Sequence, residues 1–158
     1  MTMIEYKFDL HRFIEAQEAY GIYDQAVREL EQGSKCSHWI WFVFPQMKGL
    51  GYSYNSNYYG ISCREEAEEY VKDEVLNERL RKVCQLLLDQ VEQGKTAREV
   101  LGGIDARKAC SCLTLFDVVS PNDIFGECLE KCYNGKHDGR TLKMLNISRN
   151  INKDNAKS

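Results

Sequence analysis

Two groups of polar side chains stand where this sequence would otherwise bury only apolar ones. The first lies in Ser37-His38-Trp39-Ile40-Trp41-Phe42-Val43-Phe44-Pro45-Gln46, a stretch holding both tryptophans of the 158-residue chain. A neutral imidazole near its ordinary pKa can serve as general base, general acid or ligand donor. His38, the only histidine in the block, is therefore a catalytic candidate; the plainer alternative is a core histidine bonded to a carbonyl. Gln46 could converge with it on a small molecule as a hydrogen-bonding reader. Trp39 and Trp41 cannot both face one way on a helix, so one is expected in the core and the other as a wall on which a ligand stacks.

The second group is Asp105, Lys108, Ser111 and Thr114, which recur every third residue. On a helix they form a slowly drifting polar row beside the apolar stripe. In a site, Lys108 would meet an anionic group such as phosphate, Asp105 would act as base or hydroxyl acceptor, and the two hydroxyls would contact the ligand. A purely structural account also fits. Asp105 would cap the helix, Lys108 would pair with it, and Ser111 and Thr114 would bond back to the preceding turn. Between the two groups runs Gly49 to Gly60, rich in glycine, asparagine, serine and tyrosine. That composition predicts an irregular loop with adaptable hydrogen bonding, in which Tyr54 is the candidate ligand contact.

Other chemistries fit less well. Seven cysteines, an odd number placed where small buried apolar residues belong, read as reduced thiols. The best zinc set, Cys128, Cys132 and His137 with Cys110 and Cys112 upstream, lacks the close paired-cysteine spacing of zinc modules. No metal and no cofactor is expected. Cys36 stands two residues from His38, which points the side chains apart and argues against a covalent thiol mechanism. Gly49-Leu50-Gly51 does not extend to a dinucleotide fingerprint, and the Walker, His-Glu-x-x-His and Gly-x-Ser-x-Gly patterns are missing.

The elements that must carry these residues are punctuated by caps and glycines. Asp9 can cap a helix with Leu10, Phe13, Ile14 and Gln17 inward, and a second helix from about Tyr23 stops at Gly33. Ser62 to Glu65 and Thr96 to Glu99 read as capping boxes. Asp73 opens the long segment to Gln93, with Val75, Leu76, Leu80, Val83, Leu87 and Val91 at helical spacing. Asp105 is expected to cap the helix that buries Ala109, Cys112, Leu113 and Phe116 and ends at Ser120-Pro121. Asp123 and about Asp138 start two more. The aromatic block alone could be a strand, but no second strand pattern exists to pair with it, and a helical face fits it too. The sum is an all-α, compact single-domain array of about six to eight helices over residues 1–147, with a polar, disordered tail over 148–158.

Charge and hydropathy exclude some classes. Twenty-one basic residues against 24 acidic ones give a net charge of −3, with no basic run to track phosphates, so general nucleic-acid binding is not expected. The chain opens without a signal-peptide pattern, and its longest apolar run, Trp39 to Phe44, is too short for a bilayer. The expectation is a soluble, cytoplasmic protein without a membrane partner. The sequence sets no oligomeric state.

Taken together, the aromatic block, Gly49-Leu50-Gly51, Tyr59-Gly60-Ile61 and Asp105 through Phe116 resemble the uncharacterised family catalogued as domain of unknown function 1810. The likeness runs from about Leu10 to Leu145. The family's later motif is similar to Asp-x-x-Lys-x-x-Ser-Ser-x-Thr-Leu-Phe, and Cys112 stands here where the second serine usually does. The resemblance implies a compact, mostly helical domain and no established activity, and it singles out the same two motifs. By analogy alone, small helical domains that process ADP-ribose derivatives also line a cleft with tryptophan, asparagine and acidic residues. The functional expectation is a binder or processing enzyme for a small phosphorylated or nucleotide-like metabolite, ADP-ribose derivatives among the candidates. The rival is a non-catalytic helical interaction module.

Overall fold

Helix boundaries follow the caps. In the computed structural model, which describes residues 7–146, the helices are α1 His11–Glu18, α2 Ile22–Gln32, α3 Ile40–Val43, α4 Tyr54–Tyr58, α5 Arg64–Lys72, α6 Glu74–Glu92, α7 Ala97–Leu101, α8 Gly103–Val119, α9 Ile124–Tyr133 and α10 Gly139–Met144. The only β element among the described residues is an isolated parallel bridge between Met47 and Ile61. The all-α expectation holds. The tail at 148–158 lies outside the described residues.

Asp73, Thr96, Asp123 and Asp138 each accept from a first-turn amide, at 3.0, 3.0, 2.7 and 3.0 Å. Thr96 and Glu99 complete a reciprocal capping box. Three expected starts differ. α1 has no side-chain cap, because Leu10, which carries no acceptor, holds the N-cap position one residue past Asp9, whose backbone carbonyl accepts from Arg12. At α5 the inward-facing Glu66, not Glu65, accepts from the amide and hydroxyl of Ser62; Glu65 points out to Lys7. α8 starts at Gly103, after Gly102 at φ +86°, a backbone position that favours glycine. That early start moves Asp105 from the cap into the first turn.

α6 packs against α2, α5 and α9, while α8 packs against α5, α7, α9 and α10. Phe13, Tyr70, Phe116 and Phe125 run through the core between them, with ring centroids 5.2, 5.2 and 5.7 Å apart along the series. Val75, expected inward, is 41% exposed, since Leu76 and Leu80 hold the buried face of α6. No helix among the described residues is long and apolar enough to cross a membrane.

The aromatic block is a single helical turn, with Trp39, Ile40, Val43 and Phe44 in the core and Trp41 and Phe42 half-buried. Directly after it, the amide of Ile61 donates to the Gln46 carbonyl and the amide of Lys48 to the Ile61 carbonyl, each at 2.8 Å. These bonds close the loop between them, inside which Ser53 caps α4. A Cβ on Gly60 would come within 2.6 Å of the Lys48 Cα and 2.7 Å of the Ser56 carbonyl oxygen. Backbone on both sides leaves no cheap relief. Gly60→Ala is therefore expected to lower unfolding stability by about 1–3 kcal/mol in denaturant titration, as overpacking does; an unchanged midpoint would show that the loop gives way freely.

Candidate functional site

Glu29, on α2, fixes the entry to the aromatic block. Its carboxylate accepts from the Cys36 and Ser37 amides at 2.7 and 3.0 Å, the Ser37 hydroxyl at 2.6 Å and the Trp39 indole at 2.9 Å. Arg12, on α1, fixes the loop beyond. Its guanidinium donates to the carbonyls of Tyr58 at 2.7 Å and Gly60 at 2.9 Å and pairs with Glu66 at 2.8 Å, all in a buried setting. The block and loop thus become one rigid wall. Facing it are α8 and the turn from α9 into α10.

Between these walls lies a cavity of about 620 Å³, within the size range of small-molecule sites. Trp41, Gln46, Ser56 and Tyr59 line one side, and Arg107, Lys108, Ser111, Lys136, His137 and Arg140 line the other. Among the described residues Asp138 is the only carboxylate on the lining, and it is occupied in capping α10, accepting from the Thr141 amide and hydroxyl at 3.0 and 2.6 Å. Two more carboxylates stand behind the surface. Asp117 is 2.8 Å from the His137 Nε2; Asp105 lies 2.7 Å from the Lys35 Nζ and 3.7 Å from the Lys108 Nζ. Four cations against one lining carboxylate leave the cavity positive on an acidic chain.

The Lys108 ammonium also sits 3.9 Å from the centroid of the Trp41 ring, a cation–π distance. Gln46 is 9% exposed, and its side-chain Nε2 is buried without a partner among the described residues. Leaving such a donor unpaired costs about 1–3 kcal/mol. Cys110 borders the same space, but burial, and after it the charge of Asp138, pushes its thiol up to about 11. It stays protonated at neutral pH and is a poor nucleophile. No three His, Cys, Asp or Glu side chains among the described residues are grouped to hold a metal ion.

Of the residues singled out by spacing, Trp41, Gln46, Lys108 and Ser111 meet at the cavity. Asp105 stands behind Lys108 as its partner. Ser111 bonds back to the Arg107 carbonyl at 3.2 Å while its side lines the space. The others are elsewhere. His38 is exposed and outside the lining: its neighbours Ser37 and Trp39 both turn in to Glu29, which leaves the imidazole in solvent. Trp39 is the core tryptophan, 0% exposed. Tyr54 is 75% exposed and stacks on Tyr58 on the outer face of α4, while Ser56 takes the inner face. Thr114 is fully buried; its hydroxyl donates to the Cys110 carbonyl and accepts from the Asp138 amide, both at 2.8 Å. That is a tie between α8 and α10, not a ligand contact.

Spacing missed Arg107, Lys136 and Arg140, and weighed His137 only as a zinc ligand. The signal for the last three was the basic Lys136-His137 and Arg140 close together, which carries meaning only once α9 and α10 fold back beside Lys108; Arg107 gave none beyond its place next to Lys108. Glu29 and Arg12 gave no signal, since each reads as an ordinary charged position on an exposed helix face.

A family model described as "Protein of unknown function (DUF1810)" matches residues 7–145. The crystal structure of the conserved hypothetical protein Rv1873 from Mycobacterium tuberculosis is similar over 90% of this chain and 100% of its own, with 40% identity and a TM-score of 0.83. No curated protein matches the chain.

Proposed function

Because the chain belongs to the DUF1810 family of proteins of unknown function, its role is read from the cavity, and we propose that it binds a small phosphorylated, nucleotide-like metabolite there. The observation that carries this reading is the unpartnered Gln46 amide facing a cluster of cations across one cavity. A phosphate would lie against Lys108, Arg140 and their neighbours, where charge-assisted hydrogen bonds and Arg geometry favour it. A polar edge on the rest of the ligand would satisfy Gln46, and the Trp41 and Tyr59 rings would flank it. Any proton transfer falls to His137, held by Asp117, instead of His38.

The test is calorimetric titration with AMP, ribose 5-phosphate and orthophosphate. AMP is expected to bind in the micromolar range and to change Trp41 fluorescence as Lys108 shifts from the ring to the phosphate. Lys108→Ala or Arg140→Ala is expected to weaken AMP by about tenfold or more, the worth of one charged hydrogen bond, and His38→Ala to leave it unchanged. Raised salt weakens binding, since the cations lie near solvent. Absence of any binding by the three probes, or equal affinity in Lys108→Ala and wild type, overturns the reading. In that event the exposed Tyr52 and Tyr54 would favour the interaction-module reading.

A further inference from the structure

The cavity does not end at its own wall. A second hollow of about 420 Å³ adjoins it and shares Ile104, Arg107 and Tyr133 with it, adding Arg98 from α7 and Gly103 and Ala106 from α8. Ile104, on the shared wall, is 63% exposed, and the Tyr133 hydroxyl gives its proton to the Ala106 carbonyl at 2.6 Å, on the second hollow's lining. Burial raises the pKa of that phenol, so it stays neutral and adds no repulsion to an anion. Across the boundary the charged groups are two guanidiniums, Arg107 on the shared wall and Arg98 beyond it, and neither forms an ion pair among the described residues. Among the described residues the hollow's lining includes no carboxylate; of the two adjacent in sequence, Asp105 is engaged by Lys35 at 2.7 Å and Glu99 accepts from the Thr96 amide at 3.0 Å.

Two adjoining hollows, the larger ending in an unpartnered amide and the smaller in an arginine, with a further arginine on the wall they share, suit a ligand that is long and carries anionic charge along its middle. Guanidinium forks match the oxygens of a phosphate or diphosphate in geometry as well as charge. Resting on the reading of the main cavity as a nucleotide-like site, we propose that the natural ligand is a nucleoside diphosphate conjugate. Its nucleoside lies at Gln46, its diphosphate crosses at Arg107, and its second moiety reaches the hollow at Arg98. Arg98 is then a specificity residue for the extension and takes no part in holding the nucleoside.

The experiment compares AMP with ADP-ribose on the wild type, Arg98→Gln and Arg107→Gln, by titration calorimetry. ADP-ribose is expected to bind at least about tenfold tighter than AMP, because it adds a second charged contact. Arg98→Gln is expected to bring the ratio of the two affinities close to one, while Arg107→Gln weakens both ligands. Wild-type AMP binding with ADP-ribose no tighter overturns the extended ligand and leaves the main cavity's reading in place. Loss of affinity by the same factor for both ligands in Arg98→Gln overturns the extended ligand in the same way. Failure of both ligands to bind overturns the two readings together.

Discussion

Glu29→Ala is expected to lower the unfolding free energy by about 3–5 kcal/mol, since several neutral buried donors lose a charged acceptor and a hydrogen bond to a charged group is worth roughly 1.5–3 kcal/mol. The carboxylate gathers the Cys36 and Ser37 amides, the Ser37 hydroxyl and the Trp39 indole, and alanine leaves all of these donors without it. Denaturant unfolding reads the loss, and Glu29→Gln should recover only part of it, since an amide offers one acceptor oxygen where the carboxylate offers two. The same residue sets an acid limit. Burial works to raise the Glu29 pKa, but the bonds from Ser37, Cys36 and Trp39 outweigh it and bring the group down from 4.5 to about 2. A depressed folded-state pKa contributes stability that is fully present above the unfolded value and is lost as pH falls through the folded one. Here that contribution is about 3 kcal/mol, from the linkage of pKa to stability, and it should disappear between pH 4.5 and about 2. The wild type should therefore lose its advantage over Glu29→Ala across that window. A constant difference between the two, or none at any pH, would show that Glu29 does not hold this segment.

Arg12→Met is expected to cost a similar amount, about 3–5 kcal/mol, because it strands a buried carboxylate. Glu66 is 2% exposed and would keep only its bonds from Ser62. The Tyr58 and Gly60 carbonyls would lose their donor, so the loop that forms one cavity wall should be cleaved faster by protease and ligand affinity should fall with it. Adding Glu66→Leu to Arg12→Met should restore part of the stability, since apolar replacement of both partners removes the stranded charge. A double variant no more stable than Arg12→Met alone would mean that loop anchoring, not the ion pair, dominates.

These two residues also mark the limit of what could be read from the chain. Local chemistry carries most helix boundaries: Asp73, Thr96, Asp123 and Asp138 cap helices where their side chains reach amides three residues away or fewer, and such contacts are legible in one dimension. Ser111 and Thr114 bond back one turn, as their spacing suggests. The boundaries that moved did so through the chain's path and distant partners: α8 starts early at Gly103, with Asp105 then paired to Lys35, and at Ser62 the expected Glu65 turns out to Lys7 while Glu66, held by Arg12, takes its place.

Half of the candidate site was legible for the same reason. Trp41, Gln46, Lys108 and Ser111 sit on segments whose apolar neighbours had to face the core, so their polar atoms had to meet something. The all-α architecture, the aromatic turn as packing centre and the two segments that build the cavity were set by caps, periodicity and burial within the sequence itself. Tertiary structure alone decided that His38 faces solvent while His137 reaches the cavity, and that Arg107, Lys136 and Arg140 gather around Lys108. Those outcomes depend on how α8, α9 and α10 fold back on one another and on where Glu29 turns the chain, and contacts between residues far apart in sequence leave no local spacing to read.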